Sequence, residues 1–170
     1  MDMFLSAMEA VNAVTPIADL HWMLSHIQAV TDDHLNRMKA IGVGAAVQTH
    51  FINGAFFGEP LGTPFYRQVF DSGIGMSGGT DANYHNPFTW MWHMTTGLQN
   101  SGEVALAPEN TLSRQEALRI STIGSAWNLL DEDSLGSIEA GKLADLVVLS
   151  ADYLTVPDDQ LRILKSVLTI

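Results

Sequence analysis

The sequence contains no cysteine. Disulfides, thiolate zinc sites and thiol nucleophiles are thereby excluded, and the lack fits a reducing, cytoplasmic setting. Charge is scarce too. Asp, Glu, Lys and Arg make up 16% of the 170 residues, against roughly 25% in an average soluble domain. Basic residues are the scarcer part, 8 against 19 acidic ones, for a formal net charge of −11. Such a chain lacks the cations from which nucleic-acid affinity comes, and anionic membrane surfaces repel it. No apolar run approaches the ~18 residues of a spanning helix. The opening segment, MDMFLSAMEA, carries two acids and no base, unlike a secretory signal. H-x-H and H-E-x-x-H are absent. Gly75, Gly78 and Gly79 are followed by no lysine, so they do not make a Walker loop. Against these absences stand 46% hydrophobic residues and a mean hydropathy of +0.11. That is a chain that folds, of about one domain. Its low charge points to surface covered by a partner, another subunit or more of the same protein.

The pattern along the chain alternates. Residues Met3 to Val14 predict a helix with Phe4, Ala7, Met8 and Val11 on one face, ended by Pro16. Asp19 to Ile27 reads as a strand. Thr31 is an N-cap followed by first-turn acids; Leu35, Met38 and Ile41 make the apolar stripe, and Gly42 stops it. Val43 to Gln48 reads as a buried strand, residues 50–64 as a loop, Phe65 to Ser72 as a helix stopped by Gly73, and Ile74 to Gly79 as a strand leading into Thr80-Asp81. Strands alternating with helices imply parallel α/β units. An aromatic segment, Pro87 to Gly97, follows; its Phe88, Trp90 and Trp92, with Met91 and Met94, suit core or interface packing. Ser113 and Glu116 form a capping box for a helix expected over 114–130. Asp131 to Gly141 is turn-rich, Ala144 to Leu149 is the strongest strand pattern, and Leu161 to Ile170 reads as a final strand.

Six histidines are present: His21, His26, His34, His50, His85 and His93. A single histidine is more often a structural or surface residue than a ligand, so position decides. His26 closes one strand-like run and Asp81 closes another. At the C-terminal ends of parallel strands, polar side chains face an active-site mouth, and a His with an Asp there suits a metal of nitrogen and oxygen preference. Asp81 equally suits a turn, since Thr-Asp-Ala-Asn is turn-prone.

Two segments resemble a known family. Gly136 to Leu149 (GSIEAGKLADLVVL) resembles the G-S-[LI]-x-x-G-K-x-A-D-[LF]-V-V-L signature of metal-dependent amidohydrolases, in the branch called amidohydrolase family 3, and Leu112 to Leu118 resembles the helix opening that precedes it. Leu154 to Pro157 and Leu168 to Ile170 continue the likeness. Upstream, Ser25-His26-Ile27-Gln28 is similar to the sixth-strand metal-histidine motif, Gly42 to Gln48 to the seventh strand, and Gly79-Thr80-Asp81 to the eighth-strand aspartate motif. The likeness covers nearly the whole chain, in the family's order. The first-strand H-x-H, the bridging lysine or acid and the fifth-strand histidine have no counterpart.

The resemblance implies an incomplete architecture. A full barrel takes roughly 200 to over 400 residues. The expectation is the C-terminal portion of a TIM-type (β/α) barrel, about strands six to eight with their helices, over residues 1–130, and strands of a small β-sandwich over 131–170. The implied activity is hydrolysis of a non-peptide C–N bond in a small amide or formamide, with a divalent metal, zinc by preference. Asp81 would be metal ligand and general base, and His26 a metal ligand or carbonyl polariser. Gln48, His50 and His85 would line the substrate pocket. With two ligands where catalytic zinc takes three, the chain alone is expected to be inactive. A homo-oligomer or a complementing N-terminal barrel segment would supply the rest. The alternative is a non-catalytic α/β module that associates with itself, through Trp90 to Met94, or with an intact relative.

Overall fold

The computed structural model describes residues 1–27, 29–48, 52–56, 59–60, 65–80 and 86–170, with backbone alone at 55, 56, 59 and 60. The chain is an open α/β structure built around three parallel strands. These are β1 (Met23–Ser25), β2 (Gly44–Gln48) and β5 (Met76–Gly79), neighbours in that order. Parallel neighbours need a crossover. Helix α2 (Asp32–Ala40) joins β1 to β2, and α3 (Tyr66–Ser72) lies on the way from β2 to β5.

The local signals in the sequence are used much as expected. Thr31 accepts the backbone N–H of His34, and the His34 ring accepts the N–H of Thr31 at 3.2 Å, a reciprocal cap with histidine in the acid's usual place. Gly42 and Gly73 follow their helices at φ +71° and +73°, where a side chain is strained. The predicted loop at 50–64 carries two short antiparallel strands, β3 (Ala55–Phe56) and β4 (Glu59–Pro60).

Helix α1 (Asp2–Asn12) forms where expected, but its buried face is different. Leu5 is buried, whereas Phe4, Ala7 and Val11 are exposed. The cause is Arg37 on α2, which donates to Asp2, Ser6 and Glu9 and turns that side of α1 inward. The strand expected over Asp19 to Ile27 is shorter. Ala18–Leu20 is a 3-10 turn and His21 is left-handed at φ 48°, so extension begins only at Met23.

The aromatic segment is a helix, α4 (Pro87–Thr96), capped by Asn86, whose side-chain oxygen accepts the N–H of Phe88 at 2.9 Å. Trp90, Met91, Trp92 and Met94 are all at most 5% exposed. They are core, so self-association through Trp90 to Met94 has no surface to use. The helix expected over 114–130 is two: α5 (Arg114–Ser121) and α6 (Ile123–Asn128). Thr122 breaks it, at φ −115° and ψ −90°. The break lets Gly124 lie directly on the Met76 carbonyl of β5.

Toward the C-terminus, α7 (Asp158–Leu161) precedes β7 (Ser166–Thr169), which pairs antiparallel with β6 (Val147–Leu149). The strands expected over Ala144 to Leu149 and Leu161 to Ile170 are shorter, since Leu161 ends α7. The ribbon is exposed along β7 and at Val147 and Val148.

Candidate functional site

Strand register sorts the sheet's side chains onto two faces, because alternate residues point opposite ways. Ser25 lies opposite Ala46, Ala46 opposite Ser77, and Gln48 opposite Gly79. Ala45, Val47 and Met76 share one face and are buried, and Gly78 on that face is roofed by the Trp90 ring of α4. The other face carries Met23, Ser25, Gly44, Ala46, Gln48, Ser77 and Gly79. It is built of small and polar residues, and the Ser77 hydroxyl reaches across it to the Met23 sulfur at 3.7 Å.

The two ends of this second face differ. At its N-terminal end Trp127 of α6 lies over Gly44 and Gly75, where no Cβ would fit. His21 stacks on that indole, ring centroids 4.0 Å apart, and donates from Nδ1 to the Trp127 carbonyl at 2.7 Å. At the C-terminal end stand Ser25, Gln48, Gly79 and Thr80, with His26 directly after β1. His26 is exposed, at φ 57°. A non-glycine residue in that conformation is uncommon, and it turns the chain sharply off the strand end. By register His26 is level with Val47, two strand spacings from β5, roughly 10 Å of backbone.

Gln48 ends β2. Its backbone carbonyl accepts from the Tyr66 hydroxyl at 3.0 Å. Its side-chain Oε1 is buried and accepts no hydrogen bond among the described residues. Tyr66 is 1% exposed, and burial pushes its phenol far above the ordinary range, so it stays a donor. The His93 ring meets it edge-on at 5.7 Å. Tyr66 sits inside a helix the sequence made plain, but nothing in the pattern separated it from an ordinary core aromatic.

Of the expected site residues, the structure places His26 and Gln48 at the same end of the parallel sheet. Asp81, His50 and His85 lie outside the described residues. The remaining histidines are structural: His21 stacks on Trp127, His34 completes a cap, and His93, fully buried, donates from Nδ1 to the Leu98 carbonyl at 2.7 Å. Among the described residues no three His, Asp or Glu side chains gather closely enough to hold a metal. No helix among them is long and apolar enough to cross a membrane.

Comparison with known proteins places these features. The sequence profile of the amidohydrolase family matches residues 1–170. YtcJ of Bacillus subtilis, a protein assigned to the amidohydrolases, is 26% identical over 174 residues, spanning 95% of this chain and 33% of its own length. An N-substituted formamide deformylase of Arthrobacter pascens is 33% identical over 101 residues, covering 58% of this chain and 18% of itself. A metal-dependent hydrolase from Pyrococcus furiosus superposes with a TM-score of 0.59 at 25% identity, over 82% of this chain and 30% of its own. The chain thus spans a third or less of the length of each.

Proposed function

The chain belongs to the amidohydrolase family, and from that premise we propose that it is the C-terminal portion of a metal-dependent hydrolase of small amides or formamides. Residues 1–130 are read as barrel strands six to eight with their helices, and 131–170 as part of a β-sandwich. The observation that supports the reading is the shared sheet end of His26 after β1 and Gln48 on β2; Asp81, outside the described residues, follows β5 in sequence. That is where a parallel barrel assembles its site. The Trp90 ring of α4 roofs one face of the sheet at Gly78, and the other face is lined mostly by small and polar residues, with Trp127 of α6 over its N-terminal end.

The reaction is attack of water on the carbonyl carbon and cleavage of the C–N bond. Asp81 accepts the water's proton and returns it to the departing nitrogen. His50 and His85 flank the substrate with Gln48. A neutral imidazole and a carboxylate are donors that zinc accepts. Two of them are one short of the three protein ligands of a catalytic zinc site, and the described residues offer no further cluster. The donors of this chain therefore do not fit the metal by themselves, and the chain alone is inactive. The remaining ligands come from strands of a longer protein or of a complementing chain. The exposed apolar residues of β6 and β7 support such cover.

The test is metal content, by mass spectrometry, of the purified chain beside His26→Ala and Asp81→Ala, with turnover of N-acyl and formamide substrates. The expected result is well under one zinc per chain, falling further in both variants, and no turnover. A full complement of metal with turnover would overturn the incompleteness. Residual zinc identical in all three proteins would overturn the site.

A further inference from the structure

Where the start of β5 meets α5 and α6 lies an open cavity of about 430 Å³, within the range of small-molecule pockets. Its deepest lining is Ile74, Met76 and Ile120, each at most 9% exposed. Ile123 and Trp127 also line it and are half-buried. These walls are held apart. Gly124 already lies on the Met76 carbonyl, so α6 can come no nearer to β5. The Trp127 ring lies against Gly75, and His21 stacks on it. Two charged residues share the lining, Arg119, which is exposed, and Glu132, which is half-buried. They differ in their surroundings. Glu132 Oε1 stands 3.8 Å from His21 Nδ1. Arg119 has no ion pair or hydrogen bond among the described residues, unlike the other four arginines. Arg37, Arg67 and Arg114 each reach a carboxylate within 2.8 Å, and Arg162 lies over the Trp92 ring. In a chain with 19 acidic residues to 8 basic ones, an arginine that meets no carboxylate is the exception, and it stands at an apolar cavity.

We propose that this cavity binds a small apolar carboxylate, with the apolar body against Ile74, Met76, Ile120 and Trp127 and the carboxylate on the Arg119 guanidinium. The planar guanidinium matches a carboxylate with two parallel hydrogen bonds. Such a pair is weak in open water and stronger beside apolar walls, where the effective dielectric is lower. The apolar body gains by leaving water, and the depth of Ile74, Met76 and Ile120 gives it surface to cover. The site stands apart from the hydrolase reading, since it lies at the opposite end of the parallel sheet from His26 and Gln48.

The experiment titrates the purified chain at pH 7 with three probes of one shape, 3-phenylpropionate, 3-phenylpropan-1-ol and 3-phenylpropylamine. NMR follows the Trp127 indole N–H and the Met76 methyl group. The acid should bind about tenfold more tightly than the alcohol, the amine most weakly, and bound acid should move both resonances. In Arg119→Gln the acid should fall to the affinity of the alcohol, and the alcohol should bind as before. That variant should melt with the parent, because the side chain has no partner to lose. Ile123→Trp places bulk in the cavity and should weaken all three probes. Absence of binding by any probe overturns the proposal, as does an acid preference that survives in Arg119→Gln, binding unchanged in Ile123→Trp, or binding that leaves Trp127 and Met76 unmoved. A preference for the amine also overturns it, since Glu132 would then be the partner.

Discussion

Arg67 of α3 grips Glu116 of α5 with both terminal nitrogens, Nη1 to Oε1 at 2.9 Å and Nη2 to Oε2 at 2.8 Å. The same Glu116 carboxylate accepts the N–H of Ser113, while the Ser113 hydroxyl accepts the N–H of Glu116. One carboxylate thus closes the capping box and fastens α3 to α5. The Arg67 hydrogen bonds hold its pKa down to about 2. A depressed folded-state pKa gives stability that is complete above the unfolded value, about 4.3, and is lost as pH falls through the folded one. Glu116→Gln keeps a capping side chain and removes the charge. At pH 6 it should unfold in less urea than the parent, by on the order of 1–2 kcal/mol. The gap should close as pH is lowered from about 4.3 toward 2. A gap that stays constant with pH would show that the charge contributes nothing.

Gly124 stands where the chain has no room for a side chain. Its added Cβ would lie on the carbonyl oxygen of Met76, a backbone atom that cannot swing aside. Gly124→Ala should therefore cost about 1–3 kcal/mol by overpacking, read by thermal or urea unfolding. Gly79→Ala is the control, since nothing lies within 4 Å of its added Cβ among the described residues, and it should stay within about 0.5 kcal/mol of the parent.

The Tyr66 hydroxyl is the donor to the Gln48 carbonyl. Tyr66→Phe keeps the ring, its edge-on contact with His93 and its burial. It leaves one main-chain oxygen without that donor. The expected loss of stability is about 1–2 kcal/mol, with the far-UV circular dichroism unchanged. A variant as stable as the parent would show that water replaces the phenol there, and the end of β2 would then be less firmly held than its geometry implies.

Much of this architecture could be read directly from the residues. Thr31, Ser113, Gly42 and Gly73 mark helix ends through local chemistry, and local chemistry survives in the fold. The parallel α/β pattern and the common end for His26 and Gln48 followed from it. What could not be read was set by contacts distant in sequence. Arg37, 28 residues from Glu9, chooses the inward face of α1, so the apolar stripe of Phe4, Ala7 and Val11 stays outside. The break at Thr122 serves a contact between Gly124 and β5, which no helical propensity records. His21 and Trp127 stack across 106 residues. Periodicity likewise could not tell that Val147 and Val148 would be exposed, because an apolar strand has the same pattern whether or not its cover is present.

The β6–β7 ribbon leaves apolar side chains exposed. Val147, Val167, Leu168 and Ile170 are each more than half exposed, and Val148 faces Leu168 directly across the pair. A two-stranded ribbon is marginal on its own, and exposed apolar strands with free edges invite pairing with another chain. The purified chain should accordingly show association that rises with concentration in sedimentation velocity. Replacing the facing pair by opposite charges, Val148→Lys with Leu168→Glu, keeps a favourable cross-strand contact and removes the apolar surface. The double variant should sediment as a monomer at concentrations where the parent does not. Its melting temperature should hardly change, because neither side chain is buried. If the parent is already monomeric at high micromolar concentration, the ribbon needs no cover. If the variant associates as the parent does, the sticky surface is elsewhere, and the exposed Phe4–Val11 face of α1 is the next to alter.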